Sequence, residues 1–407
     1  MKILIVTQYF WPENFRINDL VEGLTSYGHE VTILTGIPNY PRGRVFSEFL
    51  SEPNLFNEFG SSRVIRVPII PRGKSKLTLA LNYLSYVISS TIIGSWKLKE
   101  DEFDVIFVYE PSPITVGLPA IWLKKLKKAP VIFWTLDLWP EALSSFGIVK
   151  SESILSFVGK IVGFIYNRCD LILAQSYSFI DPISKYCKDN VSIEYFPSWA
   201  EKNPSSREVA PEVEYQNNTF NILFTGNIGE AQDFPAIVDA AEHLKDENIR
   251  WIIVGGGRME NWLRSEVVDR GLESSFIITG EFPVERMPSF YNHSQALIVS
   301  LKRDRFLSLW IPGKVQSYLM SGLPILGMAQ GETEQVIKKS GCGYVCEPGN
   351  GFALASIVKK MVSTSSADRS RMGAMGKKYA IQEFDRETLL RQLESWMFEF
   401  INNNKIK

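Results

Sequence analysis

Histidine and cysteine are scarce in this 407-residue chain, at three and four residues respectively, and each scarcity excludes some chemistry. Cys342 and Cys346 have the spacing of half a zinc site, but no second pair or histidine stands near them in sequence. The four thiols therefore read as small, reduced core side chains. His29 ends the first expected helix, His243 lies on an amphipathic helix and His293 ends another, none with ligand-like neighbours, so neither a metal site nor a Ser-His-Asp arrangement is expected. An excess of charge is missing too. With 44 basic and 45 acidic residues the net charge is -1, which supplies no global field for nucleic acid. Met1 and Lys2 lead at once into an apolar strand, so no signal-peptide pattern is read there and a cytoplasmic location is expected.

What is present is apolar surface. Hydrophobic residues make up 45% of the chain and aromatic ones 12%, which excludes a disordered chain and suits a well-filled core. The length suits two domains of roughly 180 to 200 residues each. Residues 77–98 are apolar for almost the length of a membrane helix, but Asn82, Ser85, Ser89, Ser90, Thr91 and Gly94 interrupt them, and those groups are costly in lipid without partners. The expectation is a helix packed on its domain with one face available to a bilayer. Lys74, Lys76, Lys97 and Lys99 flank it, and Lys124, Lys125, Lys127 and Lys128 surround Trp122 and Leu126 on another helix. Such groups can hold a peripheral protein on anionic lipid by about 1 kcal/mol per charge. A solvated helix face explains the same pattern equally well.

Residues 2–7 read as an apolar strand, 15–27 as an amphipathic helix stopped by Gly28, and 30–35 as strand again, a βαβ unit. Strands at 64–70, 104–109, 130–135 and 170–174 alternate with helices at 77–98, 114–127 and 152–168. Uniformly apolar strands separated by helices predict a doubly wound parallel sheet. Residues 199–219 are polar and proline-bearing, and read as a linker. The alternation then restarts, with strands at 220–225, 250–254, 275–279, 296–300 and 324–328 and helices at 233–244, 259–270, 284–292 and 312–321. Helices at 350–363, 368–383 and 386–402 follow. The predicted domains are 1–198, 220–384 and a final helix, 385–407, whose Leu, Trp and Phe need an apolar surface such as the first domain. Each sheet would place its ligand crevice at the carboxyl ends of its strands, and two sheets facing each other would form one cleft.

Several residues at those strand ends carry chemistry. The helix opened by Pro312, Gly313 and Lys314 presents unpaired N–H groups and a cation, an anion site in the making; an ordinary capped helix with a solvated lysine is the alternative. Gly255, Gly256 and Gly257 follow a strand, but Glu260 breaks the dinucleotide fingerprint G-x-G-x-x-G. With Gly226, Asn227 and the pair Thr279, Gly280, three successive glycine turns at strand ends point to a nucleotide site. In the first half, the loop holding Glu13 and Asn14 is unusually aromatic, and Arg16 sits in a first helical turn where a cation opposes the dipole. That places Arg16 as a candidate for an anionic ligand, with a surface salt bridge as the alternative. Asp137, at a strand end in an apolar loop, is a candidate general base, with helix capping as its alternative.

Taken together, the stretches ILIVTQYFWPEN, GHEVTILTGIPNYPRG, WTLDLWPE, FTGNIG, VGGG, ITGEFP, KVQSYLMSGLPILG and GCGYVCEPGN resemble glycosyltransferase family 4 over nearly the whole chain. The similarity is greatest to the bacterial branch that builds O-antigen, capsule and colanic-acid repeats, N-acetyl-L-fucosamine transferases among them. The resemblance implies the GT-B fold: α/β, two doubly wound parallel-sheet Rossmann-like domains facing across a cleft. It implies a nucleotide-sugar donor, a UDP-sugar, on the second domain, and an undecaprenyl-diphosphate-linked saccharide acceptor on the first, at the inner face of the cytoplasmic membrane with no cofactor. Gly255, Gly256, Thr279, Gly280, Gln316 and Ser317 would take the base and ribose side, and Lys314 the diphosphate. The chain departs from the family pattern where its E-x7-E glutamates would fall, near Leu309 and Ser317, and where its Arg and Lys would fall, near Asn227 and Gln232. Leu136 replaces the family's histidine. Lys314, Arg303 and Arg16 are then the candidates to neutralise leaving-group charge. A sugar-nucleotide epimerase of the same architecture and a degenerate nucleotide-sugar-binding protein are the rival readings.

Overall fold

A computed structural model of the protein describes residues 1–405 except 42, 74, 146, 201–207, 215 and 217. The expected flanking residue Lys74 and much of the expected linker therefore lie outside the described residues. The chain divides into two compact units, Met1–Pro197 with Glu387–Lys407, and Ser198–Arg386.

The first unit is built on an eight-stranded sheet: β1 (Lys2–Val6), β2 (Glu30–Gly36), β3 (Glu58–Phe59), β4 (Ser62–Val67), β5 (Val105–Glu110), β6 (Val131–Thr135), β7 (Leu171–Ala174) and β8 (Ser192–Tyr195). Their order is β3-β4-β2-β1-β5-β6-β7-β8, parallel throughout except for the β3–β4 hairpin. β5, β6 and β7 are buried at every position because helices cover both faces of the sheet, which is why they read as unbroken apolar runs. The strand order reverses at β1, whose neighbours are β2 on one side and β5 on the other, leaving a crevice beyond the ends of β1 and β5.

The apolar run forms one long helix over this crevice. It starts at Lys76 under a capping box on Ser75, passes through a π turn at Ser90–Gly94 and ends at Lys97. Its polar interruptions serve the inner face. The Asn82 side chain accepts from Gln8 Nε2 at 2.7 Å and donates to the Ile70 carbonyl at 2.6 Å. The Tyr86 hydroxyl donates to the Thr7 and Leu34 carbonyls at 2.9 and 3.1 Å. The final helix, Arg386–Lys405, buries Leu389, Leu390, Leu393, Met397 and Ile401. Its Glu394 meets His29 Nε2 at 2.8 Å, and Asn404 donates to the Lys128 carbonyl at 2.8 Å.

The second unit has six parallel strands, β9 (Phe220–Thr225), β10 (Ile249–Val254), β11 (Phe276–Gly280), β12 (Ala296–Ser300), β13 (Ile325–Met328) and β14 (Gly343–Cys346), in the order β11-β10-β9-β12-β13-β14. Alternate residues feed two cores, Ile222, Phe224 and Trp251 on one face and Leu223, Ile252 and Val299 on the other. The order reverses between β9 and β12, the second crevice. Part of the stretch expected as a linker is packed instead: Ala210 and Val213 join the second core, and His293 Nε2 meets the Ala210 carbonyl at 2.8 Å. β3, β8, β14 and the helix Glu332–Ser340 also escaped the sequence reading. The three strands are short and half-exposed, so they lack the continuous apolar run that marks the others.

Tyr86→Phe should lower stability by about 1 kcal/mol, since Thr7 and Leu34 keep carbonyls that lose a buried donor. Urea unfolding with an unchanged m-value checks this.

Candidate functional site

In the second unit the turns after β9, β10 and β11 are tied together by backbone. The Gly226 N–H donates to the Val254 carbonyl at 2.9 Å, Gly255 to Gly280 at 2.8 Å, and Ile228 to Gly256 at 2.7 Å. Gly255 has φ +143°, and a Cβ there would lie 1.8 Å from the Gly226 oxygen. Only glycine permits that approach. The same crowding surrounds Gly257, whose Cβ would meet the Ile228 oxygen at 2.3 Å and Asn227 Oδ1 at 2.6 Å. Gly226 itself is exposed, while Gly280 and Gly313 have open space where a Cβ would point. Glu281, which the sequence reading passed over, lays its carboxylate against Gly256. The Thr279 hydroxyl bends back toward the Ile253 carbonyl at 3.3 Å.

Lys314 lies on the first turn of the helix Gly313–Ser321, but it is not solvated. Its Nζ is buried, stands 3.7 Å from the centroid of the Phe224 ring, and has no hydrogen-bond partner. A Cβ on Gly226 would lie 3.3 Å from that nitrogen, so the exposed glycine is the thin cover over the cation. Burial pushes the ammonium down to about 7. Tyr318, on the same helix, fixes this geometry: its hydroxyl accepts from the Thr225 N–H at 2.7 Å and locks the end of β9 to the helix.

One expectation for this region is corrected. Gln316 is buried with its amide nitrogen facing the carbonyls of Pro312 and Gly313 at 2.9 and 3.0 Å, so it closes its own helix start and is not turned toward a nucleotide. Arg303 is 62% exposed and pairs with Glu347 at 2.8 Å. Ser317 is half-buried and Asn227 exposed.

In the first unit Glu13 is also corrected. Its carboxylate accepts the N–H groups of Phe10, Asn39 and Tyr40 at 3.1, 2.8 and 2.7 Å, and the side chain is buried. The acid ties the β1 loop to the β2 loop, and its oxygens are already committed. Asn14 is exposed, and Arg16 lies beside the Tyr109 phenol.

Asp137 has a partner that the sequence did not reveal. Glu110, the last residue of β5, is fully buried, and one of its oxygens accepts the Asp137 N–H at 3.4 Å. Glu110 Oε1 and Asp137 Oδ1 are both buried without partners. Burial pushes Asp137 up to about 7. Burial, and then the Asp137 charge, hold Glu110 well above the carboxylate range. Two acids this close favour sharing one proton. Tyr83 of the long helix lies beside Arg72, Ser112 and both acids, and Ser112 holds φ +137°, a strained setting for a side chain. Asp137 is not a cap, because the next helix, Glu141–Ser145, begins four residues later.

Comparison with known proteins identifies the fold and a partial family match. Residues 219–364 match the family described as glycosyl transferases group 1, a region within the second unit. The fold is that of two-domain GT-B glycosyltransferases: sucrose-phosphate synthase from Thermosynechococcus elongatus superposes with a TM-score of 0.72 at 14% identity, covering 98% of this chain and 99% of that one. Anabaena Alr3699/HepE in complex with UDP-glucose superposes with a TM-score of 0.68 at 12% identity, covering 98% and 100%. In sequence, the chain is 26% identical over 96% of its length to the colanic acid biosynthesis glycosyl transferase WcaI of Escherichia coli (strain K12), covering 98% of that protein.

Glu13→Gln should lower stability by about 2 kcal/mol, because an amide NH2 would face the Phe10 N–H. A residue that served only a ligand would leave the urea midpoint unmoved.

Proposed function

We propose that the protein is a bacterial glycosyltransferase of family 4 type that moves a sugar from a UDP-sugar to a lipid-linked saccharide in surface-polysaccharide synthesis. The observation that carries this reading is the buried, unpartnered Lys314 ammonium beneath exposed Gly226 at the end of β9. A buried cation without a partner is costly, and an anion at that strand end removes the cost. The diphosphate of a UDP-sugar is an anion that fits the place, and the UDP-glucose complex of HepE supports the choice. The likeness to WcaI supports a surface polysaccharide as product. An N-acetylated hexose such as N-acetyl-fucosamine is the proposed sugar and an undecaprenyl-diphosphate-linked saccharide the proposed acceptor, met at the inner face of the cytoplasmic membrane.

In the reaction the acceptor oxygen bonds to the anomeric carbon as the carbon–oxygen bond to the β-phosphate breaks, the electron pair leaving on UDP through an oxocarbenium-like state. Lys314 and the open N-terminal turn at Gly313 hold the negative charge that develops on UDP. Asp137 accepts the hydrogen bond of the attacking hydroxyl. If attack comes from the face opposite the phosphate, Asp137 takes the proton; if from the same face, the phosphate does. Glu110 retains a proton beside it, which keeps two charges from coexisting in the pocket.

Lys314→Met should weaken binding of a UDP-sugar at least about tenfold. Burial holds the free ammonium down to about 7, and a bound diphosphate favours its charged form and raises that value. Donor binding should therefore take up a proton at pH 8 and weaken as pH rises above 7, by up to about tenfold per unit. Calorimetry in buffers of different ionisation enthalpy reads the uptake, which Lys314→Met should abolish.

Asp137→Asn should leave donor binding intact and suppress acceptor-dependent UDP release. A fall of about 10²-fold or more marks proton transfer by Asp137, whereas about tenfold marks orientation alone. Release that is independent of acceptor, or absent with every donor, would overturn the transferase reading.

A further inference from the structure

We propose that three neighbouring helices of the first unit form one face that lies on an anionic lipid surface without crossing it. Lys76–Lys97 is the one helix among the described residues long and apolar enough to cross a bilayer. Its inner side is committed to the sheet through Asn82 and Tyr86. Its outer side is a stripe of Leu77, Leu81, Leu84, Ile88, Ile92 and Trp96, all exposed, with Leu77 at 70% and Trp96 at 73%.

The π turn is what keeps that stripe straight. At 3.6 residues per turn, Trp96 would sit roughly 100° around the helix from Leu77. A π turn takes in one extra residue, which removes about the same angle. Ser90–Gly94 supplies it midway, so Ile92 and Trp96 return to the line of the first four residues. The same turn keeps Asn82, Tyr86, Ser90 and Gly94 together on the sheet side, so the helix holds a straight buried face and a straight apolar outer face at once.

The stripe is not isolated. The helix Gly117–Lys127 touches both the long helix and the helix Glu152–Tyr166, so the three lie side by side on one face of the sheet. Each leaves large apolar groups outside: Trp122 and Leu126 on the second, and Ile154, Phe157 and Phe164 on the third. An apolar surface spread over three helices calls for an occupant.

Charge selects which occupant. These helices hold six lysines (Lys76, Lys97, Lys124, Lys125, Lys127, Lys160) and one acid, Glu152, although the whole chain has a net charge of -1. Lys76, Lys97, Lys124 and Lys127 are engaged by backbone carbonyls or by Asp170. Lys125, Lys160 and the adjoining Lys128 are exposed. Aromatic and aliphatic groups edged by free lysines match the boundary between headgroups and acyl chains of an anionic bilayer. The long helix would then serve two sides at once, with Asn82 and Tyr83 toward the crevice that holds Asp137 and its stripe toward lipid.

Co-sedimentation of the full chain with vesicles tests this without relying on transferase activity. Vesicles of phosphatidylcholine with phosphatidylglycerol should bind at least about tenfold more tightly than phosphatidylcholine alone, and less in high salt. Two double variants, I92S with W96S and K125E with K160E, should each weaken binding by at least about tenfold while thermal unfolding stays close to that of the parent. Absence of vesicle binding, or binding untouched by both variants, would overturn the proposal. So would a concentration-dependent dimer that I92S with W96S dissociates, since the face would then belong to a second copy of the chain. A soluble saccharide acceptor processed normally by both variants would leave the transferase reading standing whichever way the vesicles decide.

Discussion

A parallel sheet with helices on both faces has no free side on which to hold a ligand, and this constraint governs where every chemical group of the protein can stand. The strand interiors are spent on burial, so polar function is confined to strand ends, and the order reversals beside β1 and β9 open those ends into crevices. Asp137, Glu110 and Ser112 belong to one crevice; Gly226, Gly255 and Lys314 belong to the other. The aromatic loop after β1 obeys the same rule. It lies over a strand end, where loose backbone would leave buried N–H groups unpaired, and Glu13 meets three of them.

Both crevices hold ionisable groups that burial keeps away from their ordinary charge state. In the first, two carboxyls stand close with one backbone hydrogen bond between them. In the second, an ammonium faces an aromatic ring and has no hydrogen-bond partner among the described residues. A core that existed only for stability would replace such groups with apolar ones at a gain. On the proposed reading, each crevice instead keeps a group able to change charge, one suited to a proton and the other to an anion.

The alternation of strand and helix was legible because strands buried on both faces have a composition that nothing else in the chain imitates, as in β6 and β10. Asp137 was legible for a related reason: an acid that ends such a run stands out. Glu110 did not stand out, because VIFVYE reads as an apolar strand with a polar last residue, and its burial comes from helices and loops distant in sequence. Lys314 was visible as a cation in a first helical turn, but its depth depends on Phe224 and Gly226, ninety and eighty-eight positions away, which no local pattern reports. Glu13 misled because a carboxylate in an aromatic loop looks the same from sequence whether it meets a ligand or its own backbone. The π turn was hidden as well, since serine, threonine and glycine within an apolar run mark a polar interruption without giving its geometry.

The family resemblance predicts a positive clamp of several residues, and the chain has uncharged Asn227 and Gln232 where two of them would fall. A single lysine can replace part of that clamp in a way an arginine could not. A guanidinium stays charged at any relevant pH, so an arginine at the depth of Lys314 without a partner would hold an uncompensated charge whenever the donor is absent. An amine on a flexible stem can release its proton when alone and regain it when an anion arrives. On the proposed reading, the cation that stabilises the leaving group is formed by the donor that needs it. The empty protein is spared the cost of a permanent clamp, at the price of a donor affinity tied to pH.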